Sequence, residues 1–210
     1  MASRGILIVL SGPAGSGKTS LAQALLAADP DCRRAVTATT RLPRPGEIHG
    51  RDYLFLDREE FARGIAAGRF LEYADFNGQL YGSPREEVER LLAEGAVTLL
   101  VIEVKGAAQI RRIFPRAVHI FILPPSEEIL GLRLRQRGTE NEVELAQRLA
   151  IARAEIAFLP EYDYLVINGD RDTALADMRR IVDTVKRYGV RGDEGAVSYT
   201  HLTLPTIYSV

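Results

Sequence analysis

Several features that would restrict the function of a protein are scarce or absent in this chain of 210 residues. Its one cysteine, Cys32, excludes an internal disulfide and a zinc site built on cysteines. Its 28 acidic and 27 basic side chains leave a net charge of −1, so no overall field attracts nucleic acid or an anionic membrane. No apolar run approaches the roughly 20 residues of a membrane-spanning helix. Residues 1–4 lead directly into an apolar run and leave no room for a signal peptide, so we expect a cytoplasmic protein that binds neither nucleic acid nor membrane.

A glycine-rich stretch, residues 12–19, matches the pattern G-x-x-x-x-G-K-[ST]. Residues 5–10 before it are glycine and aliphatic residues, as in a buried strand, and residues 20–28 after it have helical spacing. This context predicts a phosphate-binding loop, whose glycines turn N–H groups onto phosphate oxygens at a helix N-terminus. We expect Lys18 to reach the outer phosphates of a nucleoside triphosphate and Thr19 to place its hydroxyl on Mg²⁺. A glycine turn without a ligand would not explain Lys18 and Thr19.

Strand-like runs alternate with helical stretches along the chain. The predicted strands are residues 5–10, 35–39, 96–104, 117–123 and 164–168. The predicted helices are residues 20–28, 84–94, 105–113, 126–136, 142–158 and 173–188. Such alternation, with runs that are apolar at nearly every position, is typical of an α/β fold whose parallel sheet has helices on both faces.

Two stretches depart from this alternation. Residues 37–83 combine short β-like pieces with many turn residues, which predicts a small mixed lobe inserted into the core. Residues 133–153 are helical and rich in arginine, and the interruption at Gly138 and Thr139 indicates the hinge of a mobile lid. The pattern stops at about Gly189, and residues 198–210 have the character of translated adaptor or vector sequence, so the fold prediction excludes the tail. The predicted domain is 1–188, with core segments 1–35, 97–132 and 154–188, a lobe at about 36–96 and a lid at about 133–153.

The arginines of the helical stretch suit phosphoryl transfer, which needs positive charge around the migrating phosphate. Arg133 and Arg137 share one helix face at a spacing of four residues, and Arg148 follows on the next helix. A solvated basic face would also account for such a pair. The adjacent glycine favours a lid that carries the arginines onto the nucleotide.

The inserted lobe combines arginines with carboxylates. Arg41 and Arg44 suit bidentate binding of a phosphate. A carboxylate only accepts hydrogen bonds, so it can receive both N1–H and N2–H of guanine, a pair that adenine does not offer. Glu47 and Glu72 are the candidates for that role. Further hydroxyl contacts to phosphate are expected from Tyr81 and Ser83.

Five motifs, in order along the chain, resemble those of the guanylate kinase family. They are the phosphate-binding loop, T-T-R-x-P-R-x-G-E-x-x-G-x-x-Y at 39–53, F-[IL]-E at 70–72, Y-G-[ST] at 81–83 and R-L-x-x-R-G-x-[ED] at 133–140. The resemblance extends from about residue 5 to residue 188. It implies a P-loop NTPase-type fold with a GMP-binding lobe and a helical lid. It also implies a kinase of purine nucleotide metabolism that transfers phosphate in line from ATP to GMP and dGMP, with Mg²⁺.

The resemblance implies a role for each matched residue. The catalytic residues are Lys18, Arg41, Arg133, Arg137 and Arg148. The ATP site comprises Gly12, Pro13, Ala14, Gly15, Ser16, Gly17, Lys18, Thr19 and, near the adenine, Asn168. The GMP site comprises Thr37, Arg41, Arg44, Glu47, Tyr53, Glu72, Tyr81, Ser83 and Glu103. Within that site Glu72 is the main guanine carboxylate, and the phosphate is bound by Arg41, Arg44, Tyr53 and Tyr81.

A few positions depart from the common family pattern. Thr37 replaces a serine and keeps the hydroxyl. Val101 replaces a carboxylate, whereas Glu103 keeps a second one, and Lys105 places a cation where a neutral amide is common. Gly169 occupies a position where aspartate is frequent. None of these changes removes a group that the chemistry requires, although they can lower turnover.

Two other functions stay open at this stage. A guanylate-kinase-like module that binds protein partners without catalysis would tolerate loss of the loop lysine or the arginines, which this chain keeps. An enzyme acting on a sugar bisphosphate or another nucleotide would leave Glu47 and Glu72 without a guanine edge to bind. A P-loop GTPase fits poorly, since the chain has no Asn-Lys-x-Asp motif. The sequence specifies no oligomeric state.

Overall fold

The computed structural model of the chain describes residues 5–76, 78–136 and 142–189. Arg137 and the predicted hinge at Gly138 and Thr139 lie outside the described residues, and so does the tail beyond Gly189. The predictions for these residues therefore stay predictions.

Strands and helices alternate through most of the described chain. The strands are β1 (Ile6–Ser11), β2 (Cys32–Arg34), β3 (Ala38–Thr39), β4 (Leu54–Phe55), β5 (Phe70–Phe76), β6 (Gln79–Pro84), β7 (Val97–Val101), β8 (Val118–Leu123) and β9 (Tyr164–Ile167). The α-helices are α1 (Lys18–Ala28), α2 (Arg58–Ala66), α3 (Arg85–Ala93), α4 (Val104–Ile113), α5 (Glu127–Arg135), α6 (Glu142–Ile156) and α7 (Arg171–Tyr188). None of the helices in the described ranges has the length and apolar character needed to cross a membrane.

The strands form two sheets. Five strands lie in the order β2-β7-β1-β8-β9, in which β2 is parallel to β7 and β8 is parallel to β9. Four strands lie in the order β4-β3-β6-β5, in which β3 is parallel to β4 and antiparallel to β6. An α/β fold with a parallel sheet and a second, mixed sheet is thereby confirmed.

Contacts divide the chain into two compact units. The first unit, Met1–Val9 with Asp29–Ala117, contains the four-stranded sheet and helices α2 to α4. In this unit Phe61 is fully buried and stacks on Phe70 with 4.4 Å between ring centroids. The side chain of Gln109 on α4 forms two hydrogen bonds to the backbone of Tyr73 on β5, of 3.4 and 2.8 Å. These bonds hold α4 beside the strand that carries Glu72.

The second unit, Leu10–Ala28 with Val118–Val210, contains the phosphate-binding loop. Every residue of β8 is buried, as expected for a strand covered on both faces. Leu130 and Leu134, one helical turn apart on α5, form a buried cluster with Leu145 of α6. Ala14 of the loop packs against this cluster. Helix α5 is therefore fixed against the loop by apolar contacts.

The predicted secondary structure differs from the structure at two places in the lobe. The single strand predicted at residues 35–39 is wrong, because the chain leaves the five-stranded sheet after Arg34 and enters the four-stranded sheet at Ala38. The apolar pattern does not show this change of sheet. Helix α2 was not predicted, although Asp57 caps it and forms a capping box with Glu60. The other predicted strands and helices are observed with shifted ends.

Candidate active site

The loop between β1 and α1 depends on its glycines for both backbone angle and space. Gly12, Gly15 and Gly17 have φ of 136°, 88° and 90°, a region that other residues rarely adopt. A Cβ on Gly12 would lie 3.2 Å from the carbonyl carbon of Ile122 and closer to its oxygen. A Cβ on Gly17 would overlap the side-chain amide of Asn168. The loop can therefore take this shape only with glycine at these positions.

Lys18 begins α1 and is held by the loop that precedes it. Its Nζ donates to the backbone oxygen of Gly12 across 2.6 Å and to that of Pro13 across 3.1 Å, and the side chain is buried. Thr19 follows in the first helical turn and is exposed. The ammonium group of Lys18 thus lies at the loop, beside the amide groups of a helix N-terminus. Anions bind favourably at such a position.

Asn168 connects the end of β9 to the loop. Its Nδ2 donates to the backbone oxygen of Ser16 across 2.8 Å, and its backbone N–H donates to Leu123 across 2.7 Å. Its backbone oxygen accepts from Nη2 of Arg133 across 2.9 Å. Asn168 therefore holds the loop at Ser16 and lies next to Gly17. The contact with adenine that the resemblance implies stays a prediction.

Arg133 is the arginine of the helical stretch that lies beside these groups. It is half-buried, and its Nη1 is buried without a hydrogen-bond partner among the described residues. A buried donor of a guanidinium is costly to leave unpaired, so this nitrogen suits a ligand oxygen. Arg148 lies half-buried on α6.

The arginine-rich stretch also contains purely superficial ion pairs. Arg135 pairs with Glu142 across 3.3 Å, and Arg153 pairs with Glu127 across 2.5 Å; both arginines and Glu142 are exposed, and Glu127 is half-buried. Such exposed pairs contribute little to stability, because water and salt screen the charges. These two arginines therefore fit the solvated-face interpretation, whereas Arg133 does not.

Arg41 and Glu47 form an ion pair among the residues of the first unit that are predicted to bind phosphate. Nη1 and Nη2 of Arg41 donate to the two carboxylate oxygens of Glu47 across 2.7 and 2.9 Å. Glu47 also accepts the backbone N–H of Arg44 across 2.7 Å. The Arg41 guanidinium, with this N–H, holds the pKa of Glu47 below its ordinary value. Glu47 thus orients Arg41, and its oxygens are already engaged.

Two tyrosines surround Arg41. Its Cζ lies 5.2 Å from the centre of the Tyr53 ring, and the Tyr81 ring meets Tyr53 edge to face at 6.2 Å. Burial raises the pKa of the Tyr53 hydroxyl, so it stays protonated as a hydrogen-bond donor. The structure thus brings together four predicted residues of the GMP site, which are Arg41, Glu47, Tyr53 and Tyr81. Arg44 lies exposed nearby in sequence.

Glu72 is a buried carboxylate, 3% exposed, in a small polar cluster. The fully buried Ser83 donates its Oγ–H to Oε1 of Glu72 across 2.5 Å. Glu103, the N-cap of α4, has an Oε2 that is buried without a hydrogen-bond partner among the described residues. Burial raises the pKa of Glu72 to about 7, the Ser83 hydrogen bond opposes this, and the charge of Glu103 adds to it. Thr37 is also buried, at 4% exposed.

Gly106 in the first turn of α4 allows Glu72 to approach the helix. A Cβ on Gly106 would lie 2.9 Å from the carboxylate carbon of Glu72 and closer still to Oε2. Sequence reasoning missed this glycine as a functional position, although a glycine inside a predicted helix signals a close approach. It also missed Arg34, which contacts Tyr53.

The predicted residues thus form two groups. Lys18, Arg133 and Asn168 meet at the loop in the second unit. The arginine, tyrosine and glutamate candidates belong to the first unit.

A family model, curated relatives and a solved structure indicate the same family. The family model described as guanylate kinase matches residues 4–185. The guanylate kinase of Rubrobacter xylanophilus is 50% identical over 183 residues, which cover 85% of this chain and 96% of that protein. The guanylate kinase of Escherichia coli K12 is 47% identical over 182 residues, with 86% and 88% covered. The crystal structure of guanylate kinase from Anaplasma phagocytophilum has a TM-score of 0.72 and 36% identity, and covers 86% of both chains. The resemblance seen in the sequence is confirmed, and the chain belongs to the guanylate kinase family.

Proposed function

We propose that this chain transfers the γ-phosphate of ATP to GMP, and likewise to dGMP, as an enzyme of purine nucleotide metabolism. The observation that carries the proposal is Glu72, a buried carboxylate held by Ser83, in the same unit as an arginine and tyrosine cluster. A carboxylate in this environment suits the N1–H and N2–H donors of guanine. The phosphate-binding loop of the second unit supplies the ATP site.

The donor site begins with the loop amides and Lys18. When ATP binds, Lys18 exchanges the carbonyl oxygens of Gly12 and Pro13 for phosphate oxygens. The unpaired Nη1 of Arg133 donates to another phosphate oxygen. Arg137 and Arg148 add positive charge as negative charge spreads over the migrating group.

Mg²⁺ is the metal that we propose with ATP. The described residues contain no cluster of three histidine, cysteine or acidic side chains that would bind a metal alone. Mg²⁺ commonly binds through one or two protein ligands together with phosphate oxygens and water. The exposed hydroxyl of Thr19, next to Lys18, suits such a ligand. Bound there, the ion would neutralise charge on the phosphates.

The acceptor site separates recognition of the base from recognition of the phosphate. Glu72 accepts the two guanine N–H groups, and these donors favour its charged form. Arg41, held in place by Glu47, binds the GMP phosphate together with Tyr53. The remaining contacts are assigned to Thr37, Arg44, Tyr81, Ser83 and Glu103.

The transfer is a direct displacement. An oxygen of the GMP phosphate forms a bond to the γ-phosphorus of ATP while the bond from that phosphorus to the bridging oxygen breaks. ADP leaves with that oxygen and GDP forms, with no covalent enzyme intermediate. Lys18 and the arginines stabilise the charge in the transition state.

A coupled assay of ADP release tests the proposal. GMP, dGMP, IMP, AMP, UMP, CMP and ribose 1,5-bisphosphate are offered separately with ATP and Mg²⁺. We expect turnover with GMP and dGMP, less with IMP, which lacks the N2 amine, and little with the others. Glu72→Gln should lose GMP turnover, whereas the matched change Glu59→Gln at an exposed helix position should keep it. Binding of GMP without ADP release would favour the non-catalytic module, and another preferred acceptor would refute guanine recognition. The cytoplasmic location stays a prediction.

A further inference from the structure

Arg34, the last residue of β2, makes its contacts with the segment around Tyr53. Its Nη2 donates to the backbone oxygen of Asp52 across 2.9 Å. Its Cζ lies 5.7 Å from the centre of the Tyr53 ring. Its Nε is buried and has no hydrogen-bond partner among the described residues. A half-buried cation is therefore fixed beside Tyr53 by one hydrogen bond and one ring contact.

The preceding residue, Arg33, offers a natural comparison. Arg33 is exposed, and its guanidinium donates only to nearby backbone, to the oxygens of Pro30 and Cys32. Successive side chains of a strand point to opposite faces, so the two arginines face different surroundings. Arg34 contacts the Tyr53 ring, whereas Arg33 donates to its own end of the strand.

Two guanidinium groups lie within cation–π distance of the Tyr53 ring. The first belongs to Arg41, at 5.2 Å, and the second to Arg34. Attraction between a cation and the ring quadrupole restricts how the ring can turn. Burial raises the pKa of the Tyr53 hydroxyl, and the charge of Arg34 acts against this rise. A nearby positive charge thus strengthens the hydroxyl as a donor to an anion.

We propose that Arg34 is a positioning residue for the acceptor nucleotide, which fixes Tyr53 so that its hydroxyl donates to the GMP phosphate. This rests on the proposed function, in which Tyr53 binds that phosphate. Arg34 acts through Tyr53 and not by contact with the reacting atoms. Glu72 recognises the base without Tyr53, so the effect of Arg34 is confined to the phosphate.

The first test compares Arg34→Met with its matched control, Arg33→Met. In the ADP-release assay Arg34→Met should raise KM for GMP about tenfold, the size expected from losing a cation–π contact and a charged hydrogen bond. KM for ATP and kcat should stay within about twofold of wild type. The contact that is lost binds GMP equally well in the ground state and in the transition state, so its loss changes KM for GMP and not kcat. Arg33→Met should leave all three constants unchanged.

The second test asks whether the loss concerns the phosphate and passes through Tyr53. Guanosine, which lacks the phosphate, is used as a competitive inhibitor. Arg34→Met should weaken GMP but not guanosine, whereas a general loosening of the lobe would weaken both. In a Tyr53→Phe background Arg34→Met should have little further effect on KM for GMP, since neighbouring groups that act as a unit are not additive.

Several outcomes would overturn the proposal. They are an Arg34→Met enzyme equal to Arg33→Met, equal weakening of GMP and guanosine, or full additivity with Tyr53→Phe. If Arg34→Met does not fold, Arg34→Lys is compared with Arg33→Lys instead. Equal KM values for GMP in these two variants would overturn the proposal. A wild-type protein that does not phosphorylate GMP would refute the proposed function itself, and with it this inference. Normal wild-type activity with unaffected Arg34 variants would refute the inference alone.

Discussion

Replacing Gly106 with alanine should impair the enzyme by moving Glu72, the carboxylate that we propose as the guanine ligand. A Cβ on Gly106 would lie 2.9 Å from the Cδ of Glu72, whereas carbon atoms in contact prefer about 3.5–4.0 Å. The carboxylate must therefore retreat by the order of 1 Å, or α4 must shift. Ser83 donates a hydrogen bond to Oε1 of Glu72, the oxygen farther from Gly106. Movement of the carboxylate would therefore also strain that hydrogen bond.

The size of the loss follows from the hydrogen bonds affected. A hydrogen bond to a charged group contributes about 1.5–3 kcal/mol, and every 1.4 kcal/mol or so corresponds to a factor of ten. Displacement from one guanine donor therefore predicts a loss of about 10- to 150-fold in kcat/KM for GMP. Alanine favours a helix over glycine by about 1 kcal/mol, so the loss is not explained by destabilised α4.

The assay is ADP release with GMP and with IMP, which lacks the N2 amine. Gly106→Ala should raise KM for GMP, reduce the preference for GMP over IMP, and leave KM for ATP unchanged. Gly131→Ala is the matched control, because a Cβ on that helical glycine would meet nothing within 4 Å. A KM for GMP in Gly106→Ala that equals the value in Gly131→Ala would refute the steric argument.

Four further predictions concern the loop and the buried carboxylate. Lys18→Ala should lower kcat by about 10³-fold or more, as loss of a transition-state cation does, and an ADP-release rate close to wild type would contradict the assignment. Asn168→Ala removes the bond to Ser16 and should raise KM for ATP about tenfold without changing KM for GMP, as steady-state kinetics with each substrate varied will show. Guanosine should bind more weakly as pH falls below about 7, because Glu72 must then lose a proton to accept both guanine donors; an inhibition constant independent of pH would contradict this. The raised pKa also means that folded Glu72 binds a proton between its ordinary pKa of 4.5 and about 7, whereas the unfolded chain does not. The free energy of unfolding should therefore fall as pH rises through that range, and Glu72→Gln should flatten this slope in denaturant titrations.

The sequence predicts the loop and most core elements because their signals are local. Residues 12–19 carry the whole phosphate-binding pattern, and the strand and helix beside them have clear spacing. The split between β2 and β3 was missed because a change of sheet at residues 35–37 leaves the apolar pattern continuous. Secondary structure was therefore least predictable where the chain passes between sheets.

The sequence offers site candidates where a residue type indicates chemistry, and it offers none where only distance in the folded chain does. Glu72 was named as the main guanine carboxylate from a motif, yet nothing local in its sequence shows that Gly106, far along the chain, leaves room for it. The sequence does not indicate a role for Arg34, because its contacts with Asp52 and Tyr53 exist only in the folded chain. Pairing of Glu47 with Arg41 likewise requires the folded turn between them.

The packing of α5 against the loop affects how variants of this enzyme are to be interpreted. A Cβ on Gly15 would lie 3.0–3.3 Å from the side chains of Leu130 and Leu134, on the helix that also carries Arg133. Shortening Leu130 or Leu134 leaves a cavity next to the phosphate-binding loop. The same cavity weakens the packing of the helix that positions Arg133. Steady-state kinetics of such variants should therefore report on the packing beneath the loop as well as on direct contacts with the nucleotide.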